Sequence, residues 1–328
     1  METDDAPATG TEKKKKPVTI LAAIAAFIII AGAAAGFFLT RGKAPPPAES
    51  ASQKHPVKEE ISEAGTKNTK GFFEIKHPAD QSLMVHIPAG EFIMGSDKYS
   101  AEKPVQKIAL SDYYIDKYPV TNLQFQKYVN TSGYVTDAEK KGTGLVRIGR
   151  RWKKVGGASW KLPDGVTGID GKENHPVSQV SYNDARSYCK WAQKELPTEA
   201  MWEKAARGPD GNEFPWGNGD PMEDSANHDS YVGSTTPVTA YEKGRSFYGL
   251  QDAAGNVYQW CQDWYGTGQR ADTNPSGPET GKEHVIKGGS FIEGMESLRS
   301  ANRDRYEPNY SSFLFGFRCA CDFPVPGL

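Results

Sequence analysis

Gly249-Leu-Gln-Asp-Ala-Ala-Gly-Asn-Val-Tyr-Gln-Trp260, followed at a distance by Lys287-Gly-Gly-Ser-Phe291, is the stretch on which the reading of the fold turns. Gly255-Asn256 sets a tight turn between short apolar runs. The same punctuation recurs along the chain: 34 Gly and 22 Pro among 328 residues point to many turns and loops rather than a helical bundle. A hydrophobic share of 37% with 11% aromatics is enough to bury a core. The net charge of −2 excludes a nucleic-acid binder by bulk charge. Histidines lie at positions 55, 77, 86, 175, 228 and 284, with no two at helical ligand spacing. Zinc-hydrolase and three-histidine iron chemistry therefore have no support.

Working outward, three helices and several strands are legible. Thr121-Asn-Leu-Gln124 is a capping box ahead of Phe125, Tyr128 and Val129, which share one helical face. Ala185, Tyr188, Cys189 and Ala192 follow the i, i+3, i+4, i+7 rule in a second helix. A third opens at Pro197-Thr198-Glu199: Thr198 caps, Glu199 complements the positive end of the dipole, and Trp202, Ala205 and Ala206 face inward. Met84-Val85-His86-Ile87 and His284-Val285-Ile286 read as short strands. No internal repeat is visible, and the mixture describes an irregular α+β domain.

The N-terminus sets the expected compartment. Residues 18–39 carry no charge and are rich in Ala, Ile and Phe. At the helical rise they span about 33 Å, enough for a bilayer. Lys13 to Lys16 precede them and only Arg41 and Lys43 follow closely, so residues 1–17 are expected to form a cytoplasmic tail. The rest is then periplasmic or extracellular. A cleaved signal peptide is the alternative, with Ala33-Ala34-Ala35 as small processing residues, but the apolar run exceeds the usual signal core. Residues 40–70, with Pro45-Pro46-Pro47 and no apolar periodicity, read as a disordered linker. Residues 71–328 form the folded domain.

Within that domain further segments stand in order. They include Ile87-Pro-Ala-Gly-Glu-Phe-Ile-Met-Gly95, Tyr118-Pro-Val-Thr-Asn122, His175-Pro-Val-Ser-Gln-Val-Ser181 and Leu196-Pro-Thr-Glu-Ala-Met-Trp-Glu203. Phe214-Pro-Trp-Gly217, Leu298-Arg-Ser-Ala-Asn-Arg303 and Phe315-Gly-Phe-Arg-Cys319 complete the series with the two stretches quoted first. Together they resemble the formylglycine-generating enzyme, or sulfatase-modifying factor, family. The resemblance covers essentially all of residues 83–322. It implies a decorated C-type-lectin-like fold with little regular secondary structure.

The resemblance also implies chemistry that these residues do not supply. The family's enzymes hold Cu(I) on two cysteines after the Gly-Gly-Ser segment, and soft thiolates suit that ion. Here Phe291-Ile-Glu-Gly-Met-Glu-Ser-Leu298 has no cysteine, and Glu293 falls where the first would stand. No copper is expected. Cys189 and Cys319 match the positions of a structural disulfide in the family. Cys261 and Cys321 are then expected to pair with each other; a metal-binding Cys319-Ala-Cys321 is the alternative. A structural calcium site is implied around Gly255–Trp260, with Asn256, Val257 and Gln259 as ligands and Asn227 belonging to a second. Gln259 replaces the usual Glu and removes a negative charge from a hard-cation site. Alternatively, Asn256 only supports the turn.

Arg299, Arg303, Arg305 and Arg318 crowd the C-terminal part. One reading has them pairing with acids to hold loops. The other has Arg299 and Arg303 lining a ligand groove with Phe291, Tyr306 and Tyr310, where guanidinium groups would recognise carboxylate or sulfate. Two functions follow. The first is a membrane-anchored accessory or binding module presenting residues 291–298 and the loop 140–170 to a protein partner outside the cytoplasm. The second is a cysteine-independent oxidase similar to the pyoverdine-maturation branch of the family, with Glu293 as acid/base.

Overall fold

The computed structural model describes residues 65–149 and 151–322. Residues 1–64, and with them the expected tail, membrane span and most of the linker, lie outside that description. Among the described residues no helix is long and apolar enough to cross a membrane. The first strands are β1 (Thr66–Lys67), β2 (Phe73–Lys76), β3 (Leu83–Ile87), β4 (Gly90–Met94), β5 (Gln106–Leu110) and β6 (Tyr113–Asp116). Then come helices α1 (Asn122–Ser132) and α2 (Asp137–Lys141), strands β7 (Thr143–Ile148) and β8 (Arg151–Gly156), and helices α3 (Tyr182–Trp191) and α4 (Glu199–Arg207). The C-terminal part holds β9 (Tyr258–Trp264), β10 (His284–Lys287), α5 (Met295–Leu298), β11 (Asp304–Tyr306), β12 (Phe315–Gly316) and β13 (Ala320–Asp322).

The strands form a five-stranded sheet in the order β1-β2-β3-β6-β13, a four-stranded sheet β11-β10-β9-β12, and the hairpins β4–β5 and β7–β8. Strand β13 lies antiparallel to β6, so the two ends of the described domain meet in one sheet. Strand β1 pairs with β2, with Thr66 opposite Glu74. This corrects the expected boundary: residues from Thr66 onward belong to the sheet, because backbone pairing rather than composition orders them.

Local chemistry accounts for the helices. Thr121 accepts from the Gln124 N–H while the Gln124 side chain takes the Thr121 N–H, the expected capping box of α1. Equivalent boxes open α2 at Thr136 and α3 at Ser181, and Thr198 accepts from the Met201 N–H to open α4. Gly133, at φ 68°, ends α1 in the left-handed conformation. The faces meant for the core are buried: Phe125 and Tyr128 on α1, Tyr188 and Cys189 on α3, Trp202 and Ala205 on α4. Phe125, Tyr188, Trp260, Phe291 and Phe317 belong to one large aromatic cluster. Each such side chain contributes about 1.5–3 kcal/mol on burial.

Cys189 of α3 and Cys319 are joined by a disulfide with a Cα–Cα distance of 5.9 Å. The expected Cys261–Cys321 bridge does not form, and both are buried free thiols. Cys261 on β9 packs with Trp202, Ala206 and Val285. Cys321 on β13 packs with Ile75 and Tyr114 and lies 3.9 Å from the Met84 sulfur. The two cysteines sit in different sheets and different apolar clusters, which keeps them apart. The same separation corrects the Cys319-Ala-Cys321 metal alternative, since Cys319 is already bridged.

Candidate functional site

The site grows out of the end of β10. Lys287 is fully buried and donates to Glu203 at 2.8 Å, anchoring the strand against α4. The chain then reverses at Gly288 and Gly289, both at positive φ (93° and 71°). A Cβ on Gly289 would meet the Ser297 carbonyl at 2.9 Å, so the turn requires glycine there. The following loop is strapped to a second backbone segment. The N–H of Asp229 donates to the Glu293 carbonyl at 2.9 Å, and that of Ser230 to the Phe291 carbonyl at 2.8 Å. The Phe291 N–H donates to the Asn256 carbonyl at 3.1 Å, tying the loop to the Gly255-Asn256 turn.

This scaffold presents one acid among aromatics. Glu293 is half-buried, and burial pushes its carboxyl above the usual range; Arg147 opposes the shift and Asp304 adds to it. Burial also raises the Tyr258 hydroxyl, with the Glu293 charge adding, and the Tyr306 hydroxyl, with Asp304, Tyr310 and Glu293 adding. Tyr306 stacks on Tyr310 at 4.9 Å and leans on Phe315 at 4.7 Å. Phe291 meets Phe313 edge-on at 5.5 Å. Both phenylalanines border a cavity of about 110 Å³ between the loops around Pro163 and Gly233. A wider cavity of about 900 Å³ opens elsewhere, beside Tyr113 and Asp322. Of the two lysines on its wall, Lys194 is already held by Asp80 at 2.7 Å and Asp116 at 2.8 Å, and Lys190 is exposed.

The residues expected to line a groove separate into two groups. Tyr306 and Tyr310 are half-buried; Tyr306 feels the charge of Glu293 and Tyr310 stacks on Tyr306, while Phe291, only 3% exposed, is a floor residue. Arg299 and Arg303 do not face the groove. Arg299 makes a two-pronged pair with Glu102 at 2.9 and 2.6 Å and lies over the Tyr99 ring at 4.6 Å. Arg303 donates to Glu199 at 2.7 Å and to the Gly266 carbonyl at 2.7 Å, and covers the Tyr265 ring at 4.3 Å. Their guanidinium groups are spent on pinning the segment that follows α5. Two groups at the site were not singled out from sequence: Arg147, on β7, and His228, whose Nδ1 lies 2.7 Å from Asp229 Oδ2. Neither has a local signal, since strand pairing and the strap bring them in.

Residues 72–323 match the family described as "Sulfatase-modifying factor enzyme 1-like domain". The chain belongs to this family. This sulfatase-modifying factor domain is 39% identical over 300 residues to the formylglycine-generating enzyme of Thermomonospora curvata, covering 76% of the chain and 98% of that protein. It is 32% identical over 284 residues to the inactive C-alpha-formylglycine-generating enzyme 2 of Mus musculus, covering 74% of the chain and 86% of that protein. Among solved structures, PvdO from Pseudomonas aeruginosa superposes with a TM-score of 0.60 at 25% identity, covering 76% of the chain and 98% of PvdO. The fold is accordingly the C-type-lectin-like α+β fold of the family, with few helices.

The metals that the family implies can be tested against the donors present. Asn256 Oδ1 already accepts from the Thr236 N–H at 3.0 Å and from Asn227 at 3.3 Å, and its amide donates to Asp252 and to the Thr236 carbonyl. Gln259 Oε1 accepts from Trp202 at 2.8 Å and from Arg318 at 2.6 Å. Val257 offers only its main chain. Among the described residues, Asn227 Oδ1, Gln251 Oε1 and Asp252 Oδ1 are buried oxygens left without a hydrogen bond in this part of the chain. Calcium takes about six to eight oxygens, and with the Asn256 and Gln259 side chains committed to protein partners the set expected at Gly255–Trp260 falls short of that number, whereas Asn227 Oδ1, expected at a second site, is unbonded. Beside Gln259 lies a permanent cation: Arg318, fully buried, also donates to the carbonyls of Asp116, Lys117, Gln251 and Asp252. For Cu(I) the mismatch is plainer. Burial pushes the Cys321 thiol up to about 12 and the Cys261 thiol well above its usual range, and neither lies at the Gly-Gly-Ser loop.

Proposed function

We propose that this protein is a membrane-anchored, extracytoplasmic sulfatase-modifying-factor-like domain that binds a partner as an accessory module, without copper-dependent formylglycine generation. The observation that carries the reading is the thiol-free segment Phe291–Leu298, with Glu293 where a copper-binding cysteine would stand. Carboxylate is a hard donor and does not replace a thiolate on Cu(I). Likeness to a mouse relative named an inactive formylglycine-generating enzyme supports the same direction. The anchor rests on the uncharged run 18–39 behind Lys13–Lys16.

The test is direct. The purified full chain, with and without Cu(I), is expected to leave a Cys-x-Pro-x-Arg peptide unoxidised. Aldehyde above a no-protein control overturns the reading. Affinity isolation of the detergent-solubilised protein is expected to carry a stable companion.

One observation favours a second reading. Glu293 is half-buried, carries a raised pKa and lies among the hydroxyls of Tyr258 and Tyr306, which suits a proton-transfer group. Under that reading the domain is a cysteine-independent maturation enzyme of the PvdO kind, with Glu293 as general acid or base.

A further inference from the structure

The charge of this chain is unevenly spread. Residues 140–161 carry eight lysines and arginines and no acid, whereas the whole chain has 39 basic and 41 acidic residues. Three of the eight are engaged at the base of the β7–β8 hairpin. Lys140 lies 3.6 Å from Asp137, Lys161 lies 3.7 Å from Glu139, and Lys141 donates to the Asn309 carbonyl. Arg151, Lys153 and Lys154 are exposed and pair with no acid among the described residues. Arg150 lies outside the described residues.

Register decides which of these groups meet the site. Arg147 stands opposite Trp152, and Leu145 opposite Lys154, so these four share one face of the ribbon. Ile148–Arg151 and Val146–Lys153 make up the other. The first face continues the candidate groove. Trp152 packs edge-on against Phe313 at 6.1 Å, Phe313 against Phe291 at 5.5 Å, and Arg147 bears on the charge of Glu293. Main-chain bonds from Leu145 to Ser311 (3.3 Å) and from Phe313 to Leu145 (3.2 Å) hold the hairpin there. Trp152 nevertheless remains 46% exposed. A half-exposed indole beside unpaired cations has the composition of a protein-binding surface, where tryptophan and arginine carry most of the affinity.

We propose that this face docks an acidic segment of a partner polypeptide, which rests on the binding-module reading above and names the chemistry of its partner. Carboxylates of the segment pair with Arg147 and Lys154, an apolar side chain covers Trp152, and Arg151 and Lys153 draw the segment in from the far side. A polypeptide fits better than a flat anionic membrane. The cations lie on both faces of the ribbon, and one face closes against a cleft; a planar surface would reach only one of them. The same field disfavours a peptide whose recognition element is an arginine.

The experiment is fluorescence anisotropy of the full chain in detergent with a short fluorescein-labelled peptide of glutamates and leucines, beside its lysine counterpart. The acidic peptide is expected to bind and the lysine peptide not. Affinity should fall about tenfold in the combined Arg151→Glu, Lys153→Glu, Lys154→Glu variant, and should also fall in Trp152→Ala and at raised salt. These side chains are exposed, so melting temperatures should match the wild type and show that any loss is not misfolding. Failure of the acidic peptide to bind overturns the proposal, as does equal affinity in the charge-reversed chain. Loss of phosphatidylserine-vesicle binding in that variant, with no peptide binding in the wild type, reassigns the face to a membrane and also overturns it. Aldehyde formation would overturn the binding-module reading yet leave the peptide result standing, so the two failures are distinguishable.

Discussion

Glu293 takes its character from groups far away in sequence. Its neighbours Ile292 and Gly294 do not raise its pKa; burial does, with Asp304 adding and Arg147 opposing. If it transfers protons, Glu293→Gln should cost about 10²-fold or more in turnover, while a pure binding role predicts a modest change in partner affinity. In both cases the melting temperature should hold, because among the described residues the carboxylate makes no ion pair and the loop is strapped by its main chain. An unfolded Glu293→Gln protein would mean that the carboxylate is structural and would sink both readings. Position 293 was legible from the Gly-Gly-Ser motif. The roles of Arg299 and Arg303 were not, because an arginine looks alike in sequence whether it faces a ligand or a buried acid. Glu102, which claims Arg299, is 197 positions away.

At the scale of elements, the helices were readable because their determinants are local. A cap and the N–H it accepts are three residues apart, so Thr121 and Thr198 announce α1 and α4 without help from the rest of the chain, and the apolar spacing from Ala185 to Ala192 announces α3. Pairing between elements is another matter. The Cys189–Cys319 bridge, with a sequence separation of 130, ties α3 to the approach of β13. On the chain-entropy view it stabilises the fold by up to about 5 kcal/mol, less any strain. Cys189→Ser should therefore lower the melting temperature clearly under oxidising conditions, and peptide mapping should find Cys261 and Cys321 as free thiols. A mapped Cys261–Cys321 bridge, or no change in melting on losing Cys189, would contradict this. The hairpin β7–β8 illustrates the same limit. Its basic composition was plain in the chain, but only the register shows which of its cations share a face with Trp152.

At the scale of the whole molecule, distant parts are tied together by buried ion pairs. Glu203 on α4 takes Lys287 of β10 at 2.8 Å, Arg207 at 2.9 Å and the Gly95 N–H at 2.7 Å. Burial alone would raise its pKa, but Lys287 and Arg207 outweigh burial and hold it down at about 2, from 4.5. A depressed folded-state pKa stabilises fully above the unfolded value, and that stabilisation is lost as the pH falls from about 4.5 toward 2. Glu203→Gln should cost about 3 kcal/mol at neutral pH, because it leaves the buried Lys287 with only Glu199, at 3.8 Å, to balance its charge. Thermal melts should show the wild type losing stability more steeply than Glu203→Gln across that acid window; parallel curves would refute the assignment. The sequence by itself determined the family, three of the helices, the glycine turn before Ser290 and the absence of thiols from there to Leu298. Each of these is written in contiguous residues whose chemistry acts within a few positions. The tertiary structure alone decided that Cys261 and Cys321 stay apart, which arginines are consumed, that Arg318 bonds Gln259, and that Arg147 bears on the charge of Glu293 while the Asp229 N–H holds its carbonyl. Those outcomes depend on distances between atoms that are remote along the chain, which only packing sets.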